Sequence, residues 1–377
     1  TNHWGQFRTL RASDAQSGDL FGSAVAADGN TILVGAASAG SGGAAYLATA
    51  TTPPATVRDV RYVEASDRQL DDRYGDAVAV AGDVAVIGAP REDEEGGNAG
   101  AAYILERNAS GTNRWVELMK LTEAGTGQFG GALAADGDVV LVGALGSDEA
   151  YLYERNRGGT NRWGLARVLT ASDALPGQYF GSAVDVDGDV AAVGSAFDYT
   201  SELNGGAVYL FERNAGGTNQ WGEVKKLTPA DVQEGDEFGQ SVAVDGDVVR
   251  VGAPGRTNAF DFNVGAAYVF ERHAGGTSHW GQVATLSPAF RLGFGNSVAL
   301  DGSLAAVGDE GGSRAYLFER NAGGTNAWGE VATLTETDSI QGNAEFGASV
   351  AAAGDILAVG APDESAGGET PGVVYLF

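Results

Sequence analysis

Cysteine is absent from the 377 residues, and histidine occurs only three times. Without thiols the chain has no disulfide scaffold, no thiolate zinc site and no cysteine nucleophile. No run of 18 apolar residues predicts a membrane-spanning helix. Cations are also scarce: 23 Lys and Arg stand against 50 Asp and Glu, a net charge of −27 that repels nucleic acid and anionic lipid. We therefore expect no nucleic-acid partner and no membrane insertion.

Glycine is abundant, with 59 residues, and the glycines mark a repeat. A Phe-Gly or Tyr-Gly pair recurs every 51 to 58 residues, and 14 residues after each aromatic comes the glycine of a Gly-Ala-Pro-like tripeptide. The pairs begin at Phe21, Tyr74, Phe129, Phe180, Phe238, Phe294 and Phe346. Seven such units nearly fill the chain, which predicts a single repeat domain over residues 1–377.

Each unit has the pattern of four short antiparallel strands. In the fifth unit, β-branched runs flank Asp245-Gly246, a hairpin signal for which we expect a type I′ turn. A third strand follows around Tyr268 and a fourth runs from Trp280 to Leu286. Four antiparallel strands repeated seven times predict an all-β, seven-bladed β-propeller, whose blades leave only short edges. A linear solenoid is the alternative, with shorter repeats and parallel strands as its usual form.

The two ends of the chain predict that the ring closes on itself. The last unit stops after its third strand, at Phe377, while residues 1–10 have the pattern of a fourth strand without its predecessors. We expect this first segment to complete the seventh blade. About six hairpin residues are missing between the two ends compared with intact blades. We therefore expect the chain to be part of a longer protein.

Phe-Gly followed by Gly-Ala-Pro, seven times over, resembles the FG-GAP repeat family, which includes the head propeller of integrin α subunits. The segments around Phe21, Val86 and Gly265 are most similar to extracellular bacterial and archaeal members. The full tripeptide is kept at Gly88, Gly252 and Gly360 only. The resemblance implies a propeller that serves binding or adhesion outside the cell, either secreted or on the cell surface. It implies no particular ligand, since one fold hosts many functions.

One departure from the integrin-type pattern concerns calcium. Those repeats carry an Asp-rich calcium loop between the first and second strands, and here a two-residue turn takes its place. Calcium needs six to eight oxygen ligands at about 2.3–2.6 Å, more than such a turn supplies. We do not expect the family's usual calcium site, and we expect Asp189 and Asp247 to be solvated turn residues.

Loop lengths predict which face of the propeller is functional. The connections from fourth to first strand and from second to third strand are long in five units and short in the third and sixth. Both connections join the same ends of antiparallel strands, so they must emerge on one face. We call this the long-loop face, and loops on a rigid scaffold are where binding is usually found.

The long loops carry acids in a recurring pattern. The candidate metal ligands, in the loops before the first strands, are Asp14, Asp19, Asp67, Asp71, Asp72, Asp173, Asp231, Asp236 and Asp338. The candidate ligand-binding residues, in the facing loops after the second strands, are Glu92, Asp93, Glu94, Glu95, Asp198, Asp363 and Glu364. One interpretation is calcium or another hard cation, and a second is an acidic rim that binds a partner. A third is structural, with Ser-Asp pairs such as Ser13-Asp14 capping a short turn.

The other recurring groups favour structural roles. We expect the Phe-Gly aromatics and the six tryptophans to pack between blades, although an exposed aromatic ring could stack on a sugar. We expect the Glu-Arg pairs that begin at Glu106, Glu154, Glu212, Glu271 and Glu319 to form surface ion pairs.

No sequence motif of a nucleophilic hydrolase, zinc peptidase or phosphate loop is present, so we predict that the chain is not an enzyme. The leading hypothesis is an extracellular binding or adhesion module for a protein or glycan of the cell surface or matrix. The alternatives are a calcium-dependent, lectin-like propeller and a structural domain of a larger surface protein.

Overall fold

Seven four-stranded antiparallel sheets form the protein in a computed structural model. The structure describes residues 4–51, 56–107, 114–125, 127–160, 162–199, 204–257, 263–276, 279–287, 293–336, 344–364 and 370–377. Each sheet is one blade, and in blades 1 to 6 its strands follow one another in chain order from the inside of the ring to the outside. The all-β propeller predicted from the repeats is confirmed, and the linear solenoid is excluded.

The blades are numbered along the chain. Blade 1 is β2 (Phe21–Asp28), β3 (Thr31–Ala36), β4 (Ala44–Thr51) and β5 (Thr56–Val63), and blade 2 is β6 (Val78–Ala81), β7 (Val84–Ala89), β8 (Ala101–Arg107) and β9 (Trp115–Thr122). Blade 3 is β10 (Phe129–Asp136), β11 (Val139–Ala144), β12 (Glu149–Glu154) and β13 (Gly164–Leu169). Blade 4 is β14 (Phe180–Asp187), β15 (Val190–Ser195), β16 (Ala207–Glu212) and β17 (Gly222–Leu227).

Blade 5 is β18 (Ser241–Asp245), β19 (Val248–Ala253), β20 (Ala266–Glu271) and β21 (Gly281–Leu286). Blade 6 is β22 (Phe294–Asp301), β23 (Leu304–Asp309), β24 (Arg314–Arg320) and β25 (Trp328–Leu334), with a 3-10 turn at Glu310–Gly312. Blade 7 is β26 (Ser349–Ala353), β27 (Ile356–Ala361), β28 (Val373–Leu376) and the first strand of the chain, β1 (Arg8–Leu10).

The ring closes through the first strand. β1 pairs antiparallel with β28, with Thr9 opposite Tyr375, so the start of the chain completes the last blade. The inner strands pack in sequence around the ring, and β26 of blade 7 returns to β2 of blade 1. In the part of the chain that the structure describes, no helix is long and apolar enough to cross a bilayer.

The hydrophobic core lies between the blades. Seven clusters of buried residues occur, one at each interface between neighbouring blades. The second strands are buried on both faces, as in β7 and β11, which explains why most of them are continuous apolar runs. Each Phe-Gly aromatic is buried and meets the third-strand tyrosine edge-on, as Phe238 meets Tyr268 at 5.4 Å between ring centroids. The predicted packing role of these aromatics is confirmed.

The two glycine motifs belong together because they touch across the blade interface. A Cβ placed on Gly88 would lie 2.0 Å from the carbonyl oxygen of Gly130, the glycine of the next Phe-Gly pair. Gly130 has φ of 88°, a conformation in which a side chain is strained. Both positions therefore require glycine, which explains the fixed spacing of the repeat.

The inner hairpin turn differs from the prediction. Asp245 pairs with Val248, so the two central residues are Gly246 and Asp247 rather than Asp245 and Gly246. Only the glycine has positive φ, 55°, which fits a type II′ turn with glycine first and not type I′. The aspartate before the glycine therefore lies at the end of the first strand and outside the two central positions of the turn.

Candidate functional site

The long loops of neighbouring blades are joined by backbone hydrogen bonds. The amide of Asp71, before blade 2, donates to the carbonyl of Ser41 of blade 1 at 2.8 Å. The amide of Gly18, before blade 1, donates to the carbonyl of Thr370 of blade 7 at 2.9 Å. The two variable connections thus lie together, as the loop lengths predict, and form one surface around the ring.

In blade 4 the predicted acids surround a lysine. The Asp173 and Asp198 carboxylates accept from the Tyr209 hydroxyl at 2.6 and 2.5 Å and from the Lys226 ammonium at 2.8 and 3.0 Å. Asp198 is only 1% exposed. Burial, together with the two carboxylates, raises the pKa of Tyr209 well above its usual range, so the hydroxyl stays protonated and donates. We call this arrangement of tyrosine, acids and a basic side chain a Tyr–Asp–cation cluster.

Blade 2 contains the same cluster. Lys120 lies 2.6 Å from Asp67, 3.2 Å from Glu92 and 2.8 Å from Glu94, while the Tyr103 hydroxyl donates to Asp67 at 2.8 Å. Burial opposes ionisation of Asp67, but the hydrogen bonds from Lys120 and Tyr103 outweigh it and lower its pKa. The acids therefore hold the loops to strands β8 and β9.

Blade 5 supplies its cation from the loop instead of the strand. Arg256, after β19, lies 2.5 Å from Asp231, which also accepts weakly from the Tyr268 hydroxyl at 3.4 Å. In three of the five units with long loops, a candidate metal ligand thus contacts a cation of the chain itself.

Blades 1 and 7 differ from this arrangement. In blade 1, Asp14 accepts from the Tyr46 hydroxyl at 3.1 Å, and Tyr62 occupies the strand position that is lysine in blades 2 and 4. In blade 7, Asp338 lies outside the described residues and Glu364 is buried at 2% exposure. Asp363 is exposed. Burial raises the pKa of its neighbours Glu310 and Glu345, and the charge of Asp363 raises the pKa of both further.

In blades 1, 2 and 5 the capping interactions fall on the acid two residues before the Phe-Gly or Tyr-Gly pair, not on the Ser-Asp pair. Asp19, Asp72 and Asp236 are buried, and each accepts from the amide three residues earlier, at 2.7, 2.6 and 2.8 Å. Burial raises the pKa of Asp72 and of Asp236. These carboxylates hold the turn that leads into the Phe-Gly pair.

The remaining predicted residues face solvent. Asp71 is exposed with φ of 66°, and Asp93 and Glu95 are exposed in the loop after β7. Among the described residues, no group of three Asp, Glu, His or Cys side chains is arranged to hold a metal ion. The sequence prediction missed the tyrosines and lysines of the clusters, although a signal existed: two of the only three lysines in the chain take part.

A family model described as FG-GAP repeat matches more than half of the chain, at residues 4–48, 58–105, 163–211, 221–270 and 328–377. The chain belongs to the FG-GAP repeat family. Each match runs from the fourth strand of one blade into the third strand of the next. The same order is seen at the ring closure, where the fourth strand β1 precedes blade 1 in the chain. No curated protein sequence matches this FG-GAP propeller.

Solved structures of the same architecture exist. Kuenenia stuttgartiensis hydrazine synthase is similar with a TM-score of 0.57 and 13% sequence identity, over 95% of this chain and 96% of that one. At this identity the likeness shows the fold alone.

An aromatic patch on the long-loop face was not expected from the sequence. Tyr179 and Phe197 of blade 4 meet edge-on at 5.1 Å and are 42% and 47% exposed, and Tyr199 beside them is 39% exposed. The tryptophans, by contrast, are buried at positions 163, 221, 280 and 328. Any stacking on the long-loop face would therefore use these rings and not the buried tryptophans.

The residues of the Glu-Arg pairs form ion pairs, as predicted, but between neighbouring blades and not between the adjacent Glu and Arg. Four of the five arginines bind the glutamate of the preceding blade, as Arg213 binds Glu154 at 2.7 Å and Arg320 binds Glu271 at 2.8 Å. The arginine also stacks on its own blade's tryptophan, with Arg213 4.7 Å from the Trp221 ring. We call this series of contacts the Glu–Arg ladder.

The turn acids Asp189 and Asp247 are largely exposed, as predicted, and each also contacts an arginine. Asp189 accepts from Arg213 at 2.7 Å, and Asp247 lies 2.8 Å from Arg272. The aspartate before each turn glycine accepts from the amide of the next blade's turn, as Asp136 does from Gly188 at 2.7 Å. The carboxylates that make this link are Asp28, Asp136, Asp187, Asp245 and Asp301.

These five carboxylates surround one mouth of a central cavity of about 840 Å³, lined mostly by valine and alanine of the inner strands. Asp185 lies in its wall, where the other blades have alanine, and accepts from the Val244 amide at 2.6 Å. Burial raises the pKa of Asp185 to about 7, and the charges of Asp187 and Asp136 add to the effect. This carboxyl therefore titrates near neutral pH.

Proposed function

We propose that this FG-GAP propeller is a non-catalytic binding module of the cell exterior, which presents its ligand-binding surface on the long-loop face. The observation that carries the proposal is the Tyr–Asp–cation cluster of blades 2, 4 and 5. It fixes long, individual loops to a rigid sheet, while Asp93, Glu95 and the aromatic patch remain free to meet a partner.

The absence of catalysis is part of the proposal and follows from how the acids are used. The buried carboxylates Asp198 and Glu92 are occupied by lysine, and Asp72 and Asp236 by backbone amides. Groups engaged in this way position loops and are poorly suited to proton transfer, which needs a titrating group free to reach substrate. The partner would be a protein or glycan of the cell surface or matrix.

A second candidate is calcium-dependent carbohydrate binding. Blade 1 favours it, because Asp14 and the buried Asp19 have no lysine or arginine within ion-pair distance among the described residues. The acids of blades 2, 4 and 5 already have cations, so a calcium ion would bind outside these clusters. A domain that only spaces its neighbours in a longer chain would bind neither a ligand on the long-loop face nor calcium.

The experiment removes charge from one face at a time. The double variant Asp93→Asn, Glu95→Gln changes the long-loop face, and Asp189→Asn, Asp355→Asn removes two charges from the opposite face. Both proteins are applied to arrays of glycans and matrix proteins, with calcium and with a chelator. We expect signals that the first variant weakens and the second leaves unchanged.

Equal loss in both variants would show non-specific charge effects and contradict the assigned face. Binding that a chelator abolishes would support the calcium-dependent alternative. An array without any signal for the unmodified protein would favour the structural alternative.

A further inference from the structure

The Glu–Arg ladder is broken at the junction of blades 1 and 2. In four other junctions an arginine binds the preceding blade's glutamate, at 2.7 to 3.5 Å. Blade 1 has Thr49 in the glutamate position, opposite Thr31 as Glu106 is opposite Val84. Arg107 of blade 2 therefore has no carboxylate there; it donates to the Gly82 carbonyl at 3.3 Å and lies 5.5 Å from the Trp115 ring.

The same junction contains a groove of about 390 Å³ on the outer wall of the ring, between strands β5 and β9. Its walls include two aromatic side chains, Tyr62 and Trp115, and two basic ones, Arg61 and Arg114. Tyr62 is 42% exposed, and Trp115 is half-buried whereas its counterparts in blades 3 to 6 are buried. These two rings are therefore available to a ligand.

The arginines of the groove lack acid partners. Within the described residues, no carboxylate lies at ion-pair distance from Arg61 or Arg114. The two acids in the groove are already engaged: Glu64 by the Tyr62 hydroxyl at 2.9 Å and by Arg68 at 2.7 Å, and Glu117 by the Ser66 hydroxyl at 2.7 Å. On a chain with a net charge of −27, this is a concave site whose arginines are not neutralised.

We infer that the groove between blades 1 and 2 binds a carboxylated sugar unit of an acidic polysaccharide. A guanidinium group pairs with carboxylate in a planar, two-pronged geometry, and the exposed parts of the two aromatic side chains offer apolar surface to a pyranose ring. Since the overall field repels anions, an acidic ligand held here must be held by these local contacts. The site lies on the outer wall and is independent of the long-loop face.

The test is calorimetric titration of the intact chain with trigalacturonic acid. Its neutral methyl ester and a triglutamate peptide serve as comparison ligands. Arg61→Gln, Arg114→Gln removes the groove charges, and Arg167→Gln, Arg162→Gln removes the same charges from the corresponding positions of blade 3. Tyr62→Ala tests stacking, with the similarly exposed Leu165→Ala of blade 3 as control.

We expect trigalacturonic acid to bind, and the groove double variant to weaken binding by about tenfold or more, because two charge-assisted hydrogen bonds are lost. The blade 3 double variant and Leu165→Ala should change affinity by less than about twofold. The methyl ester should bind more weakly than the acid.

Three results would overturn the inference. One is no heat with trigalacturonic acid, and another is equal weakening by the two double variants. The third is triglutamate binding as tightly as the trisaccharide and with the same sensitivity to Arg61 and Arg114, which would assign the groove to an acidic peptide. Melting temperatures of all variants show whether each is folded.

Discussion

Replacing Lys226 by methionine should lower the free energy of unfolding, because the substitution leaves a buried carboxylate without this cation. Lys226 lies 2.8 Å from Asp173 and 3.0 Å from Asp198, and the Asp198 side chain is only 2% exposed. In the variant, Asp198 would lose the ammonium contact and keep the hydrogen bond from Tyr209.

The magnitude follows from the exposure of the three charges. Removing one partner of a fully buried ion pair costs about 3–5 kcal/mol. Lys226 is 24% and Asp173 42% exposed, so solvent screens part of the loss, and we expect about 2–3 kcal/mol.

Lys225 provides a matched control. It precedes Lys226 in strand β17 but is exposed and belongs to no cluster, so Lys225→Met removes the same charge. Its effect should stay within about 0.5 kcal/mol, as for most surface substitutions. Urea denaturation of the three proteins measures both differences.

Two further measurements test the reasoning. Adding Asp198→Asn to Lys226→Met should restore part of the stability, since the uncompensated charge is removed. Calcium should raise the melting temperature of Lys226→Met more than that of the unmodified protein if the ammonium occupies a cation position. Equal destabilisation by Lys225→Met and Lys226→Met would refute the role given to the cluster.

Three further substitutions test the core and the central cavity. Arg250 is fully buried between blades 5 and 6, where burial lowers its pKa to about 9; Arg250→Met should stabilise the fold by about 1–3 kcal/mol, and a lower urea midpoint would contradict this. Because the folded-state pKa of Asp185 is raised to about 7, its ionisation costs stability as pH rises from about 4 to 7. Asp185→Asn should flatten that pH dependence and gain about 1–3 kcal/mol at pH 8, and an unchanged slope would argue against it. Asp136→Ala should lose about 0.5–1.5 kcal/mol through the Gly188 link, measured by urea denaturation, and no loss would show the link to be neutral.

The fold could be predicted because its signals are local and repeated. A turn glycine such as Gly246 fixes a hairpin through its positive φ. The second strand of each blade, Val248–Ala253 in blade 5, is buried on both faces. Seven copies in one register specify a ring, and the position of β1 specifies its closure.

The site could be predicted only in part, because its contacts join residues far apart in the chain. The sequence indicated which face carries the acids, but Lys226 meets Asp173 across 53 residues, and the positions of two strands and two loops decide that contact. The Glu-Arg pairs show the same limit. Glu212 and Arg213 are adjacent in the sequence, yet Arg213 binds Glu154 because the stacking of the blades brings these two side chains together.

The sequence by itself determined the repeat, the strand pattern, the ring and the acidic face, since each depends on residue type at fixed local spacing. Tertiary structure alone decided which charges are neutralised and which are left free. Arg213 has a glutamate in the preceding blade and Arg107 has none, because blade 1 has Thr49 at that position and only stacking of the blades brings the two places together.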